Sequence, residues 1–318
     1  MDHFKDSPDP FQPLAGMAQA SPCDPELAVA FDVVRPGASV GPVIFSSPHS
    51  GDVYPAAFLA LAQLDPLTLR RSEDAFVQEL FGAAPELGAI LMSARFPRAY
   101  LDVNREPYEL DPRMFEGRLP DFTNTRSLRV AGGLGTIARV VGDAKEIYAR
   151  RLSVEEGLAR IESLYKPWHA ALRGLMQEAL RQNGAAVLVD CHSMPSNVTR
   201  ADRIKSDFVL GDRHGTSCHP ALMDAAESRL RELGYAVTRN KPYAGGFITE
   251  HYGDPSAGWH ALQIEINRGL YLHEATLERA PGFDELQDDL RGVMQALIDV
   301  AGDILAEAGA AGRRLAAE

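Results

Sequence analysis

Three short apolar runs, each closed or interrupted by polar residues, constrain this chain more than any other feature. Val43-Ile44-Phe45 leads into Ser46-Ser47-Pro48-His49-Ser50-Gly51. Ala185–Val189 ends at Asp190-Cys191-His192-Ser193-Met194-Pro195, and Ala261–Ile266 is apolar apart from Gln263 and Glu265. Continuous runs of this length, bounded by turn-forming residues, read as strands buried on both faces rather than as helices. Strands of that kind need helices to cover them.

The segments between them supply those helices. Leu67–Leu87 places Phe76, Leu80, Phe81 and Ala84 at helical spacing, with acids in its first turn. Glu146–Arg181 carries the strongest helical pattern, and Pro167 is expected to kink or split it. Pro220–Leu233 and Phe283–Ala308 read as further helices; Ala89–Met92, Ala99–Val103, Phe208–Gly211 and Ala236–Thr238 read as further strands. Strands alternating with helices, without internal repeats, predict an α/β fold in three layers, α/β/α. In such folds ligands bind at the carboxyl ends of the strands, so the polar residues that close the apolar runs are the candidates for chemistry.

A chain of 318 residues is long enough for one large α/β domain or two smaller ones. We expect an arm over residues 1–25, rich in proline and without periodicity, then a single domain over 26–318. Residues 117–142, dense in Gly, Pro, Arg and Thr, are expected to form a long surface loop of the kind that often serves binding. The balance of 32 basic against 44 acidic side chains, net −12, argues against nucleic acid or an anionic membrane as partner. No stretch is apolar for long enough to span a bilayer. Three scattered cysteines (Cys23, Cys191, Cys218) suit a reducing, cytoplasmic setting better than a disulfide framework.

His49 and His192 each follow a buried strand, where an imidazole can be presented to a crevice. One such histidine is ordinarily satisfied by a nearby carbonyl; two in the same position favour metal ligation. A catalytic zinc takes three protein ligands and keeps one position for water, and Asp52, Glu73 and Asp74 compete to be the third. Asp52 stands three residues from His49, close enough for one loop to wrap an ion. Glu73 and Asp74 open the expected Leu67–Leu87 helix, where the plain role of an acid is to offset the helix dipole. Arg95, Arg98 and Arg105 crowd one eleven-residue stretch, and a planar guanidinium suits a carboxylate ligand. Glu265 lies between Ile264 and Ile266, so it must be paired, metal-linked or turned to a crevice; pairing with Arg268 is the plain alternative.

Taken together, the blocks Ser47-Pro48-His49-Ser50-Gly51 with Tyr54-Pro55, Glu73-Asp74, Arg98-Ala99-Tyr100-Leu101-Asp102-Val103-Asn104-Arg105, Asp190-Cys191-His192-Ser193-Met194-Pro195, Pro242-Tyr243-Ala244-Gly245-Gly246 and Gln263-Ile264-Glu265-Ile266-Asn267-Arg268-Gly269-Leu270-Tyr271 resemble the N-formylglutamate amidohydrolases. The blocks fall in order between about Pro42 and Glu274. The resemblance implies a zinc-peptidase-like α/β/α fold with a mixed, mostly parallel sheet, akin to carboxypeptidases and aspartoacylase. It implies hydrolysis of N-formyl-L-glutamate, an acidic amino-acid derivative, to formate and glutamate, as in histidine degradation. By motif, His49, Asp74 and His192 match the metal ligands and Glu265 the general base. Arg98 matches the group that polarises the amide carbonyl, and Asn104, Arg105 and Arg268 match substrate-binding positions. The cofactor implied is zinc, with other divalent transition metals compatible with the same ligands.

Two other functions stay open at this stage. The alternatives are a hydrolase of another N-acyl amino acid or a short peptide at the same metal site, and a silent binding module on the same scaffold, against which the retained ligands and Glu265 argue. Cys191 as a thiol nucleophile is disfavoured, because strand alternation turns it away from His192.

Overall fold

The structure, a computed structural model, describes residues 24–37, 40–197 and 206–315. The expected arm over residues 1–25 falls almost wholly outside them. The chain has a mixed α/β fold around a seven-stranded sheet. Its strands are β1 (Phe31–Val34), β2 (Val43–Ser47), β3 (Ile90–Ala94), β4 (Ala186–Met194), β5 (Phe208–Gly211), β6 (Val237–Arg239) and β7 (Trp259–Asn267). They hydrogen-bond in the order β1-β3-β2-β4-β7-β5-β6. β2 runs parallel to β4, β4 to β7 and β5 to β6, while β7 and β5 are antiparallel. The expected mixed, mostly parallel sheet is therefore present. Its central strands β2 and β4 are buried at every residue, as continuous apolar runs require.

Helices α1 (Ala56–Leu61), α2 (Pro66–Arg70), α3 (Val77–Leu80), α4 (Leu128–Ala131), α5 (Val154–Arg160), α6 (Lys166–Asn183), α7 (Pro220–Glu232), α8 (Phe247–Tyr252) and α9 (Phe283–Leu315) complete the fold. The chain divides into two compact units. One comprises Val33–Ser47, Phe76–Met92 and the chain from Gly174 onward. Here α9 packs on α7, α3 and β2, burying Leu286, Leu290, Val293, Met294, Leu297 and Ala301. Those residues recur every three or four positions, one stripe of an amphipathic helix. Phe45 of β2 stacks on Phe81 with ring centres 5.7 Å apart.

The other unit comprises the chain up to Asp32, Pro48–Ala75 and Ser93–Arg173. It is built on aromatic rings rather than on sheet: Trp168 meets Phe31 and Phe96 edge-on, and the guanidinium of Arg160 lies 3.9 Å from the centre of the Tyr100 ring. Helix α5 starts at a capping box, Ser153 and Glu156 each bonding the other's backbone N–H.

Four local expectations are corrected. The helical pattern over Leu67–Leu87 forms two short helices, α2 and α3, because residues 71–76 leave helical geometry: the Asp74 N–H goes to the His49 carbonyl (3.0 Å) and Phe76 is left-handed (φ 63°). Ala99–Val103 is not a strand but a buried turn and coil. Its backbone bonds go to Pro97 and Thr136 instead of to a neighbouring strand. The long helical pattern begins at Val154 rather than Glu146, which sits in a two-residue strand. Pro167 does not split it: Ile161–Tyr165 form a wider π turn, which carries the helix past a ring that has no N–H and crowds the carbonyl four residues back. The segment 117–142 is largely irregular, as expected, but it contains α4 and buries Val130, Thr136 and Ile137.

Candidate metal centre

His49 sits in the turn directly after β2, and Gly51 two residues later lets that turn close. A Cβ at Gly51 would come within 2.2 Å of the Phe96 carbonyl oxygen and 2.6 Å of the Arg95 carbonyl carbon, so only glycine permits the approach. The His49 ring is buried between two carboxylates. Its Nε2 lies 2.8 Å from Asp102 Oδ1, and its Nδ1 lies 3.4 Å from Asp74 Oδ2. Of the three competing acids, Asp74 is the one beside His49. Asp52 is exposed, and buried Glu73 accepts from Arg70 Nε at 3.0 Å.

Asp102 is the hub of this region. Its Oδ1 also accepts from the Asn104 N–H (2.8 Å), and its Oδ2 accepts from Arg98 Nε (3.0 Å) with an Arg105 nitrogen at 3.5 Å. Burial alone would push this carboxyl up, but Arg105, His49 and Arg98 together outweigh it and hold it well below the usual carboxylate range. Arg105 is only partly exposed, and its lost hydration pulls its guanidinium down to about 10 despite Asp102. It donates Nε to the Leu134 carbonyl (2.9 Å) and a terminal nitrogen to its neighbour's, Asn104 (2.8 Å). Tyr165, the last residue of the π turn, and His169 of α6 brace the same stretch: Tyr165 Oη donates to the Arg105 carbonyl (2.8 Å), and His169 Nε2 lies 2.9 Å from the Val103 carbonyl.

The second histidine is placed by the sheet. β4 continues through Met194, so His192 lies within the strand and not beyond its end, as does Asp190 on the same face. Asp190 Oδ2 is 2.8 Å from His192 Nε2. In register on β7, Gln263 stands opposite Asp190 and Glu265 opposite His192. Gln263 Nε2 donates to Glu265 Oε1 (2.9 Å), and Arg268 Nε donates to Ser193 Oγ (2.9 Å). Cys191, on the opposite face, is fully buried; burial, helped by the charge of Asp190, pushes its thiol well up, and a thiol so held is no nucleophile.

Among the described residues, His49, Asp74 and His192 bring one candidate ligand atom each within 4.8 Å of one another, and all three are buried. The donor set fits a metal ion. An ionised carboxylate only accepts, so Asp102 fixes the proton of neutral His49 on Nε2. The Nδ1 of His49 is then a lone pair, and it faces another acceptor, Asp74 Oδ2, at 3.4 Å. A cation resolves that opposition. Two donors on one tetrahedral zinc at about 2.1 Å stand roughly 3.4 Å apart.

A family model described as N-formylglutamate amidohydrolase matches residues 41–272, more than half of the chain. The chain belongs to the N-formylglutamate amidohydrolase family. An N-formylglutamate deformylase of Pseudomonas putida is 29% identical over 241 residues, covering 73% of this chain and 82% of the relative. That of Pseudomonas aeruginosa is 28% identical over 238 residues, covering 73% and 83%. Among solved structures, an N-formylglutamate amidohydrolase from Ralstonia eutropha is 40% identical, with a TM-score of 0.81, covering 86% of this chain and 98% of that one. A gene product of Agrobacterium tumefaciens, 20% identical with a TM-score of 0.62, shares the fold over 87% of this chain and 96% of its own.

The residues quoted for the family resemblance thus include the three that converge. Sequence reasoning assigned no role to Asp102, Asp190, Gln263, Tyr165 or His169. For Asp102, Asp190 and Gln263 a signal existed, a polar side chain set among apolar neighbours. For Tyr165 and His169 there was none, because an aromatic pair on a buried helix face reads as core.

Proposed function

We propose that this chain is a metal-dependent amidohydrolase that cleaves N-formyl-L-glutamate to formate and L-glutamate, a step of histidine breakdown. The observation that carries the reading is the buried His49–Asp74–His192 group in a chain of this family. Two imidazoles and one carboxylate suit zinc, and the same ligands accept cobalt, manganese or iron. A divalent ion held there supplies a Lewis acid for the amide carbonyl and lowers the pKa of a water.

The chain's own residues do the remainder. Glu265 accepts the proton of the attacking water as its oxygen bonds to the formyl carbon, then returns that proton to the departing glutamate nitrogen as the C–N bond breaks. Arg98, oriented by its Nε bond to Asp102, presents its guanidinium to the carbonyl oxygen as negative charge develops there. Asn104, Arg105 and Arg268 hold the carboxylates of the substrate, for which charge-assisted, forked hydrogen bonds give both affinity and orientation. A dicarboxylate substrate accounts for arginines concentrated near a candidate metal centre in a chain of net charge −12.

The test is metal content measured together with formate release from N-formyl-L-glutamate, beside acetyl and peptidyl derivatives of Glu, Asp and neutral residues. Stoichiometric metal and fastest turnover of the formyl-glutamate derivative are expected. Preference for an acetyl or peptidyl derivative overturns the substrate, and no metal with no turnover after zinc addition overturns the enzyme.

A further inference from the structure

Gln263 is buried on β7, two residues before Glu265 and on the same face of the strand. Its side-chain oxygen accepts the Gly246 N–H at 2.7 Å, with the Thr249 hydroxyl at 3.5 Å. A backbone N–H only donates, so the orientation of the amide is determined: oxygen towards Gly246, NH2 towards Glu265. The 2.9 Å contact between Gln263 Nε2 and Glu265 Oε1 therefore has the amide donating and the carboxylate accepting. Glu265 meets this partner as a hydrogen-bond acceptor.

The other end of this relay is equally constrained. Gly245 has φ 119°, a conformation that side chains other than hydrogen rarely adopt. The backbone of Ala244 and Gly245 sits so close to Gly211 at the end of β5 that a Cβ on Gly211 would meet the Ala244 carbonyl carbon at 2.7 Å. The Pro242–Gly246 segment is thus seated against the sheet, and Gly246 leads directly into α8.

We propose that Gln263 is a positioning residue for the base: its amide transmits the fixed position of the Gly245–Gly246 backbone to the Glu265 carboxylate and holds that carboxylate as an acceptor in one orientation. The proposal rests on the reading of Glu265 as the base. It also gives a reason for a neutral amide at this place. An arginine or lysine there would stabilise the carboxylate so strongly as to weaken it as a proton acceptor, and an apolar residue would remove this donor.

The experiment is a double-mutant cycle on the full chain, with kcat and KM for N-formyl-L-glutamate, metal content and melting curves on every variant. Gln263→Met keeps length and removes the donor. It is expected to lower kcat about ten- to a hundredfold, the scale of a lost hydrogen bond to a charged group, with KM and metal content little changed. In a Glu265→Gln background the same replacement is expected to cost nothing further, because residues acting as one unit are not additive. Gln263→Glu keeps the acceptor for Gly246 but opposes a second carboxylate to Glu265, so kcat is expected to fall at least as far. Normal turnover in either single variant overturns the proposal. So does an equal loss in both backgrounds, which would make Gln263 a purely structural residue. A Glu265→Gln variant with normal turnover is a separate result: it removes the base reading itself.

Discussion

Asp102 and Glu265 are both buried carboxylates, and they accept from different kinds of donor. Asp102, in the aromatic-rich unit, is ringed by His49, Arg98, Arg105 and the Asn104 N–H. Glu265, in the unit that carries the long central strands, accepts from the neutral amide of Gln263. The first environment stabilises negative charge so strongly that the group is an anion at any ordinary pH. Such a carboxylate organises its neighbours and is a poor proton acceptor. The second supplies a neutral amide donor to the carboxylate that we propose takes up and releases a proton. Two acids of the same chemistry are thereby suited to different work by what donates to them.

The largest expected effect separates the two directly. Glu265→Gln keeps shape and removes the proton acceptor, so kcat should fall about 10²–10⁴-fold, with melting temperature and metal content preserved. Near-normal turnover in a folded, metal-loaded variant ends the contrast. Asp102→Asn should behave the other way round. Metal affinity is expected to drop about 10–100-fold, because the partner of a ligating imidazole is lost. Stability is expected to fall by about 3–5 kcal/mol, because Arg98 and Arg105 lose their buried counter-charge. Its pH dependence sharpens the point. A carboxyl held below its unfolded value contributes stability in full above the ordinary carboxylate range, and that contribution is lost as pH falls through the lowered value. The gap in denaturation midpoint between wild type and Asp102→Asn should therefore narrow in strong acid, and a gap independent of pH would contradict the assignment.

A smaller effect is expected from Arg105→Lys. Lysine keeps the charge and loses the fork, so kcat/KM for N-formyl-L-glutamate should fall about ten- to a hundredfold, the cost of roughly 1.5–3 kcal/mol. The loss should be greater than for the N-formylglutamine analogue, with metal retained. An equal loss on both substrates would assign Arg105 wholly to Asp102 and the carbonyls of Leu134 and Asn104. The smallest effect is expected from Tyr165→Phe. It removes one neutral hydrogen bond to the Arg105 carbonyl, worth about 0.5–1.5 kcal/mol. A drop of a few degrees in melting temperature and a several-fold rise in KM are expected; a change in kcat alone would mean that the brace does not act through the 102–105 stretch.

How much of this was readable in the sequence varies with the range of the interactions involved. The strands containing His192 and Glu265 were legible, because continuous apolar runs signal buried strands whatever lies around them, and a charged residue inside one is conspicuous. Ala99–Val103 has the same apolar look and is no strand. What decides it is where its backbone hydrogen bonds go, and Thr136, which takes one of them, lies more than thirty residues away. The Leu67–Leu87 pattern likewise has helical periodicity throughout and breaks at Asp74, whose N–H is claimed by the His49 carbonyl.

The α/β class and the apolar runs of the central strands follow from the sequence alone, since these depend on local hydrophobicity. The sequence also carried, in the order of its motifs, the family to which the chain belongs. Which acid stands beside His49 and which carboxylate holds its imidazole depend on the tertiary structure. His49 and Asp102 are 53 positions apart, and the His169–Val103 and Tyr165–Arg105 contacts span 66 and 60. No periodicity relates such pairs. They meet because strand register and helix packing bring distant backbone together, and a buried polar group is stable only where that packing supplies its partner.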